Sequence, residues 1–286
     1  MDGLLYSPAS RWQDLTYDVG DIGRFVANCA NAIQDTSPVR DSLAKPIPVP
    51  QPLGFADYRH PYGMKMAPED LLEAAAASRR ALALFITADW SVQAGDLTWD
   101  VRATVAHVCD ALGWYAAHLA MQSSRRLQFD LGPHPEASND QLLDVMTAAA
   151  ATLAAVVRAA PPGARAYHNH GMADTSGFLA MGCDETLIHG WDAVRGLGEE
   201  FSPPAELAER VLRRLFPWAP INESPWPTLL WANGRTDLPD RERLGPDWAW
   251  HCAPLDEWDG TVPRDDANPP NRYEWDNDAR RWIPSC

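Results

Sequence analysis

The sequence predicts a mainly α-helical protein, an antiparallel four-helix bundle with an irregular N-terminal arm and a small Trp-rich C-terminal extension. Three observations predict it. Residues 66–217 contain long segments with apolar residues at three- and four-residue spacing. Helix start and stop signals bound those segments. The flanks, 1–65 and 218–286, are rich in Pro and aromatic residues and show no comparable period.

The arm, 1–65, has room for one short helix over 18–33. Its stretch KPIPVPQPLG (45–54) is extended, because alternate prolines remove donors and fix φ. The first long helix opens at Pro68 with Glu69 and Asp70 in its first turn and runs to about Asp89. The second starts near Asp100 and reaches Met121, with Val101, Val105, Val108, Leu112 and Leu119 as its apolar stripe. The third runs from Ser138, where SNDQ (138–141) is a capping box, to Ala160, before Pro161-Pro162-Gly163. The fourth begins near Ser176 and ends at Gly196 or Gly198, and a shorter fifth spans Ser202-Pro203 to just before Pro217. Beyond it, 228–232 and 248–251 read as short strands, and 262–286 as a loose tail. The 13 Trp residues, several near the C-terminus, are expected to fasten this extension to the bundle by burying large rings.

Composition narrows the function classes. The net charge of -15 repels a phosphate backbone, so nucleic acid is not an expected partner. Mean hydropathy is -0.32 and no uninterrupted apolar run approaches a membrane span, so no membrane association is expected. The start MDGLLYSPASRWQD has neither the basic end nor the apolar stretch of a signal peptide, so the expected location is cytoplasmic. The five cysteines are scattered and never spaced as C-x-x-C, which argues against disulfides and cysteine-ligated zinc; Cys109 and Cys183 read as small buried residues.

The chemistry-bearing pattern is Glu185-Thr-Leu-Ile-His189 in the fourth helix. Residues four apart share a face one turn apart, so a carboxylate and an imidazole can converge on one cation. The competing reading is a surface ion pair or a satisfied core histidine. Leu187, Ile188 and Trp191 surround the pair, and two ionisable groups on an apolar helix need a partner. Asp192, three residues on, is placed to accept the free ring N–H of His189. The second helix offers His107 and His118, roughly 16 Å apart by helix rise, so they cannot share an ion. His107 is favoured: if helices two and four run parallel, it falls level with the pair, whereas His118 reads as a hydrogen-bonded histidine near the far end. Three protein ligands leave metal positions open, the pattern of a catalytic site. The metal expected is divalent, zinc first.

The segments 97–107 (LTWDVRATVAH), 171–178 (GMADTSGF) and 184–192 (DETLIHGWD) resemble the metal helices of the DinB-like superfamily, in the branch that contains mycothiol-dependent maleylpyruvate isomerase. Residues 229–235 (LLWANGR) and 250–260 (WHCAPLDEWDG) are similar to that branch's C-terminal part. The resemblance spans about 66–260 and implies the ligands His107, Glu185 and His189. It also implies a low-molecular-weight thiol such as mycothiol as co-substrate. The arm is longer, and the region after Pro217 shorter, than the family pattern.

The function expected is a metal-dependent thiol S-transferase acting on a small electrophile, possible substrates including natural-product intermediates. The alternatives are a thiol-dependent isomerase of the maleylpyruvate type, a metal-dependent hydrolase, and a ligand-binding DinB-like protein without turnover. Loops 90–99 and 161–177 are expected at the metal end of the bundle. Among their residues, His168 and His170 read as a substrate clamp or as plain loop, a second metal site being disfavoured without an adjacent acid. Trp114 reads as an aromatic wall of the pocket or as core packing. Arg235 is expected to pair with a nearby acid rather than to grip substrate. A homodimer is compatible with the pattern. The arm is expected either over the open end of the bundle, through 45–54, Tyr58, His60 and Tyr62, or along its side or in a dimer contact.

Overall fold

A computed structural model describes residues 65–129 and 131–264, together with the backbone of two short strands at 273–276 and 281–284. The arm, its helix at 18–33, its Pro-rich stretch and Tyr58, His60 and Tyr62 lie outside the described residues.

The molecule is mainly helical, and its four long helices start where local chemistry supplies a cap. Helix α1 (Pro68–Ala83) has Pro at its first position, and Asp70 accepts from the Ala67 N–H at 2.7 Å. Helix α2 (Val101–Met121) is capped by Asp100, which accepts from Ala103 N at 2.6 Å. Helix α3 (Asn139–Ala159) carries the Ser138/Gln141 capping box. A hairpin of β1 (Arg165–His168) and β2 (Gly171–Asp174) leads into α4 (Thr175–Gly196), capped by Asp174 through Gly177 N at 2.6 Å. Helices α5 (Ala205–Leu215) and α6 (Pro225–Ala232) follow, then a single 3-10 turn at Leu255–Glu257. Strands β3 (Tyr273–Asp276) and β4 (Arg281–Pro284) pair antiparallel near the C-terminus.

The four long helices pack so that α1 and α2 each contact both α3 and α4. Their directions follow from contacts between ends. Arg102, at the start of α2, donates to the carbonyls of Pro135 and Ala137 just before α3, so α2 and α3 start at the same end. Asn139 reaches Ile86 and Ala88 beyond the end of α1, and Arg158 pairs with Glu69, so α3 runs against α1. Ser78 Oγ donates to Thr186 O at 2.9 Å, and Gly182 packs on Leu71, so α1 and α4 run together. The order is up, down, down, up, so the connection from α2 returns the chain to the end at which α2 starts.

This corrects the expectation that the second and fourth long helices run parallel: α2 and α4 are antiparallel. The loop before α2 lies against the end of α4, where a Cβ on Gly196 would come within 2.3 Å of Gln93 O. The hairpin before α4 lies against the end of α2, with Tyr167 N donating to Ser123 O. Loops 90–99 and 161–177 are therefore at opposite ends, not at one end. Gly190 allows a second close approach, since a Cβ there would meet Ser78 Oγ at 2.6 Å.

Four further expectations are corrected. Helix α1 ends at Ala83, not near Asp89, and the chain turns so that Trp90 Nε1 donates to Phe85 O. Residues 228–232 are helix, because Ser224, Pro225 and Pro227 start a helical turn and Thr228 Oγ1 satisfies Ser224 O. Residues 248–251 form no strand, only an isolated bridge between Trp248 and Arg264, and the tail expected to be loose holds the β3–β4 pair.

By length and composition α3 could cross a membrane, at 21 residues and a hydropathy of 1.6. Its Leu142, Leu143, Met146, Ala150, Leu153 and Ala154 are buried, and its apolarity owes much to small alanines elsewhere on the helix. The extension is tied to α4 by Arg214. This buried guanidinium donates to Asp174 Oδ1 at 2.6 Å, Ser176 Oγ at 3.1 Å and the carbonyls of His251, Cys252 and Ala253.

Candidate metal centre

His107 sits about two turns into α2, and His189 about two turns before the end of α4. Because the helices are antiparallel, these opposite offsets bring the residues to one level. Nε2 of His107 and Nε2 of His189 each lie 3.3 Å from Glu185 Oε2. Ligand atoms of the three side chains all fall within 4.8 Å of one another, and among the described residues this is the one such group of His, Cys, Asp or Glu. A tetrahedral zinc with donors at about 2.0–2.2 Å separates neighbouring donors by about 3.3 Å, so the set fits a divalent ion.

The donors differ in exposure. Side-chain exposure is 30% for His107 but 11% for His189 and 9% for Glu185, so access is from the His107 side. Trp99, in the loop before α2, flanks that side with ring centroids 5.0 Å from His107 and 5.8 Å from His189.

Each buried donor has an orienting partner. Tyr115 donates to Glu185 Oε1 at 2.9 Å, leaving Oε2 for the two imidazoles. His189 Nδ1 lies 3.2 Å from Asp192 Oδ2, as the i, i+3 spacing anticipated. Arg235 in turn holds Asp192, with Nη2 at 2.9 Å from Oδ2, so its partner is the acid expected in place of substrate. Asp184, beside Glu185 and fully buried, accepts from Asn233 Nδ2 and Trp250 Nε1, both at 3.0 Å.

The electrostatics follow from burial and these partners. Burial pulls the Glu185 carboxyl upward, but the two imidazoles hold it well below the usual carboxylate range. Burial disfavours a charged His189, yet Asp192 and Glu185 outweigh it and raise its pKa to about 9. Burial pushes Asp184 up to about 7, despite the donors that face it. It also pushes Cys109 to about 12 and Cys252 to about 11, so these thiols are poor nucleophiles. Cys109 and Cys183 are buried in helices, as expected.

Trp114, His168 and His170 are not gathered around the triad. They form a second cluster with Tyr115 and Trp250: Trp114 lies 6.1 Å from His168, and His168 lies 5.3 Å from His170 and 5.7 Å from Trp250. Tyr115 stands between the two groups, its hydroxyl on Glu185 and its ring 5.6 Å from His168. His168 is buried, and burial lowers its pKa to about 3. His118 lies under Trp114 and is hydrogen-bonded to Trp114 O and Leu127 N, the far-end role expected of it. Sequence reasoning missed Tyr115 and did not single out Trp99. The signal for Tyr115 was its place eight residues after His107, two four-residue steps along the helix, and the need of a buried hydroxyl for an acceptor.

No significant match was found among curated proteins or solved structures. The model of the mycothiol maleylpyruvate isomerase N-terminal domain matches residues 71–194, the span from α1 to α4 that holds all three donors. The helical domain at 71–194 thus belongs to the mycothiol maleylpyruvate isomerase N-terminal domain family, the DinB-like branch its motifs resemble.

Proposed function

We propose that the chain is an enzyme that binds a divalent ion, zinc first, on a DinB-like four-helix scaffold and adds a low-molecular-weight thiol of the mycothiol type to a small electrophile. The observation that carries this reading is the convergence of His107, Glu185 and His189 inside a domain of a mycothiol-linked family. A divalent ion bound there supplies the Lewis acidity that keeps a thiol ionised near neutral pH. The chain's own residues do the rest. Tyr115 holds Glu185 with one oxygen free, and Asp192 holds Nδ1 of His189 so that Nε2 keeps its lone pair. Trp99 sets an apolar wall against the exposed imidazole and limits water at the site. Buried free cysteines are consistent with a reducing, cytoplasmic setting.

The main reading is an S-transferase, in which the sulfur forms a bond to the electrophilic carbon and stays. The family match favours a second reading, isomerisation. There the sulfur adds to a conjugated double bond, and the electron pair moves onto the conjugated carbonyl. Rotation about the resulting single bond follows, and the returning pair expels the thiolate.

Titration of the cobalt-substituted protein with mycothiol and with other small thiols tests the shared step. A sulfur-to-metal charge-transfer band is expected. No band with any thiol, alongside hydrolytic turnover or none, would overturn the reading. Incubation with thiol and candidate electrophiles separates the two forms: a stable thioether marks a transferase, and a rearranged thiol-free product marks an isomerase.

A further inference from the structure

We propose that Arg235, which lies outside the matched family domain, is a positioning residue of the metal centre that acts through Asp192 on His189. The inference rests on reading His107, Glu185 and His189 as metal ligands.

The placement of Arg235 is built into the chain. Gly234, with φ of +66, ends α6 in the left-handed region, and Arg235 N closes the turn on Leu230 O at 2.8 Å. Its guanidinium is then held from two sides. Nη1 donates to Asn233 O at 2.8 Å, while Nε lies 3.1 and 3.2 Å from the two Asp192 oxygens and Nη2 lies 2.9 Å from Oδ2. Asp192 is 1% exposed, so it has little water to turn toward. Oδ2 is thus shared between Arg235 and Nδ1 of His189.

A carboxylate fixed by a guanidinium fork cannot rotate away and stays an acceptor. In the neutral ring that zinc requires, His189 then keeps its N–H at Nδ1 and its lone pair at Nε2, the atom that lies 3.3 Å from Glu185 Oε2. Without the fork, Asp192 could turn, and the ring would be free to take the other tautomer or rotate. The segment after the helical domain therefore sets the ligand geometry inside it.

The test uses the full chain as wild type, Arg235→Met and Arg235→Lys, with zinc affinity read by competition against a chromophoric chelator. The second readout is the exchangeable Nδ1–H resonance of His189 in the cobalt-substituted protein. Arg235→Met is expected to weaken zinc binding by about 10–100-fold and to speed exchange of that proton. Arg235→Lys, which keeps the charge but not the fork, should fall in between. Zinc affinity within twofold of wild type with an unchanged proton signal would overturn the proposal. If Arg235→Met does not fold, Asp192→Asn takes its place. It should show the same loss, and adding Arg235→Lys should cost nothing more; additive losses would overturn the proposal. A wild-type chain that binds no zinc would instead remove the ligand reading on which the proposal rests.

Discussion

The Tyr115 hydroxyl donates to Glu185 Oε1 at 2.9 Å, so one carboxylate oxygen is occupied from inside α2 while the other faces both imidazoles. Tyr115→Phe removes only that donor and leaves a buried oxygen unmet. The expected costs are about 1.5–3 kcal/mol of stability, for a hydrogen bond to a charged group, and roughly tenfold in zinc affinity. Urea unfolding and chelator competition check the two. Unchanged values in both would mean that the contact does not orient the carboxylate.

His107→Ala and His189→Ala should each abolish turnover and bound metal while helicity by circular dichroism persists. The helices bury their own apolar core through Leu71, Leu112, Leu142, Leu153 and Phe178, so the fold is expected to hold without an ion. Loss of helicity in either variant would make the site structural.

The pair Glu185–His189 was legible in the sequence because helical spacing is local. His107 was expected level with the pair on the premise of parallel helices, which fails: α2 and α4 are antiparallel, and the alignment survives because His107 is about as far from the start of α2 as His189 is from the end of α4. A signal for the crossover was present. A 21-residue helix is about 31 Å long, and residues 122–138 can reach over about 50 Å when extended, enough to return to the starting end. Misplacing that connection also put His168 and His170 at the wrong end. Arg235 was expected to meet an acid, but which one depended on how the extension folds back. The run Thr228-Leu-Leu-Trp-Ala was too short to show a period, so its β-prone residues outweighed the Ser224-Pro225 start.

Metal-free protein should lose stability toward alkaline pH. The folded pKa of His189, about 9, lies above its ordinary 6.5, so its contribution is fully present below pH 6.5 and is lost as pH rises through 9. Zinc requires the neutral ring, so its affinity should climb with pH over the same window, and the zinc-loaded protein should not show the alkaline loss. Calorimetry at pH 6 to 9, with and without zinc, checks this; parallel curves would contradict it.

His168 acts with the opposite sign. Its folded pKa of about 3 lies below 6.5, so its contribution is present above pH 6.5 and fades as pH falls toward 3. His168→Phe should therefore flatten the acid side of the stability profile between pH 6 and 4. An unchanged slope would mean that the ring is not held neutral in its aromatic surroundings.

Arg214→Met should cost about 3–5 kcal/mol, since it strips Asp174 and three carbonyls of a buried donor at once. Limited proteolysis should then cut near 251–253 before the helices. Uniform resistance would show that other contacts hold the extension in place.

The central claim is tested most directly by a crystal structure of zinc-loaded protein with an anomalous map at the zinc edge. One peak per chain is expected, about 2.0–2.2 Å from Nε2 of His107, Nε2 of His189 and an oxygen of Glu185. A peak elsewhere, or none at full zinc saturation with the His107 ring turned away from the Glu185–His189 face, would contradict it.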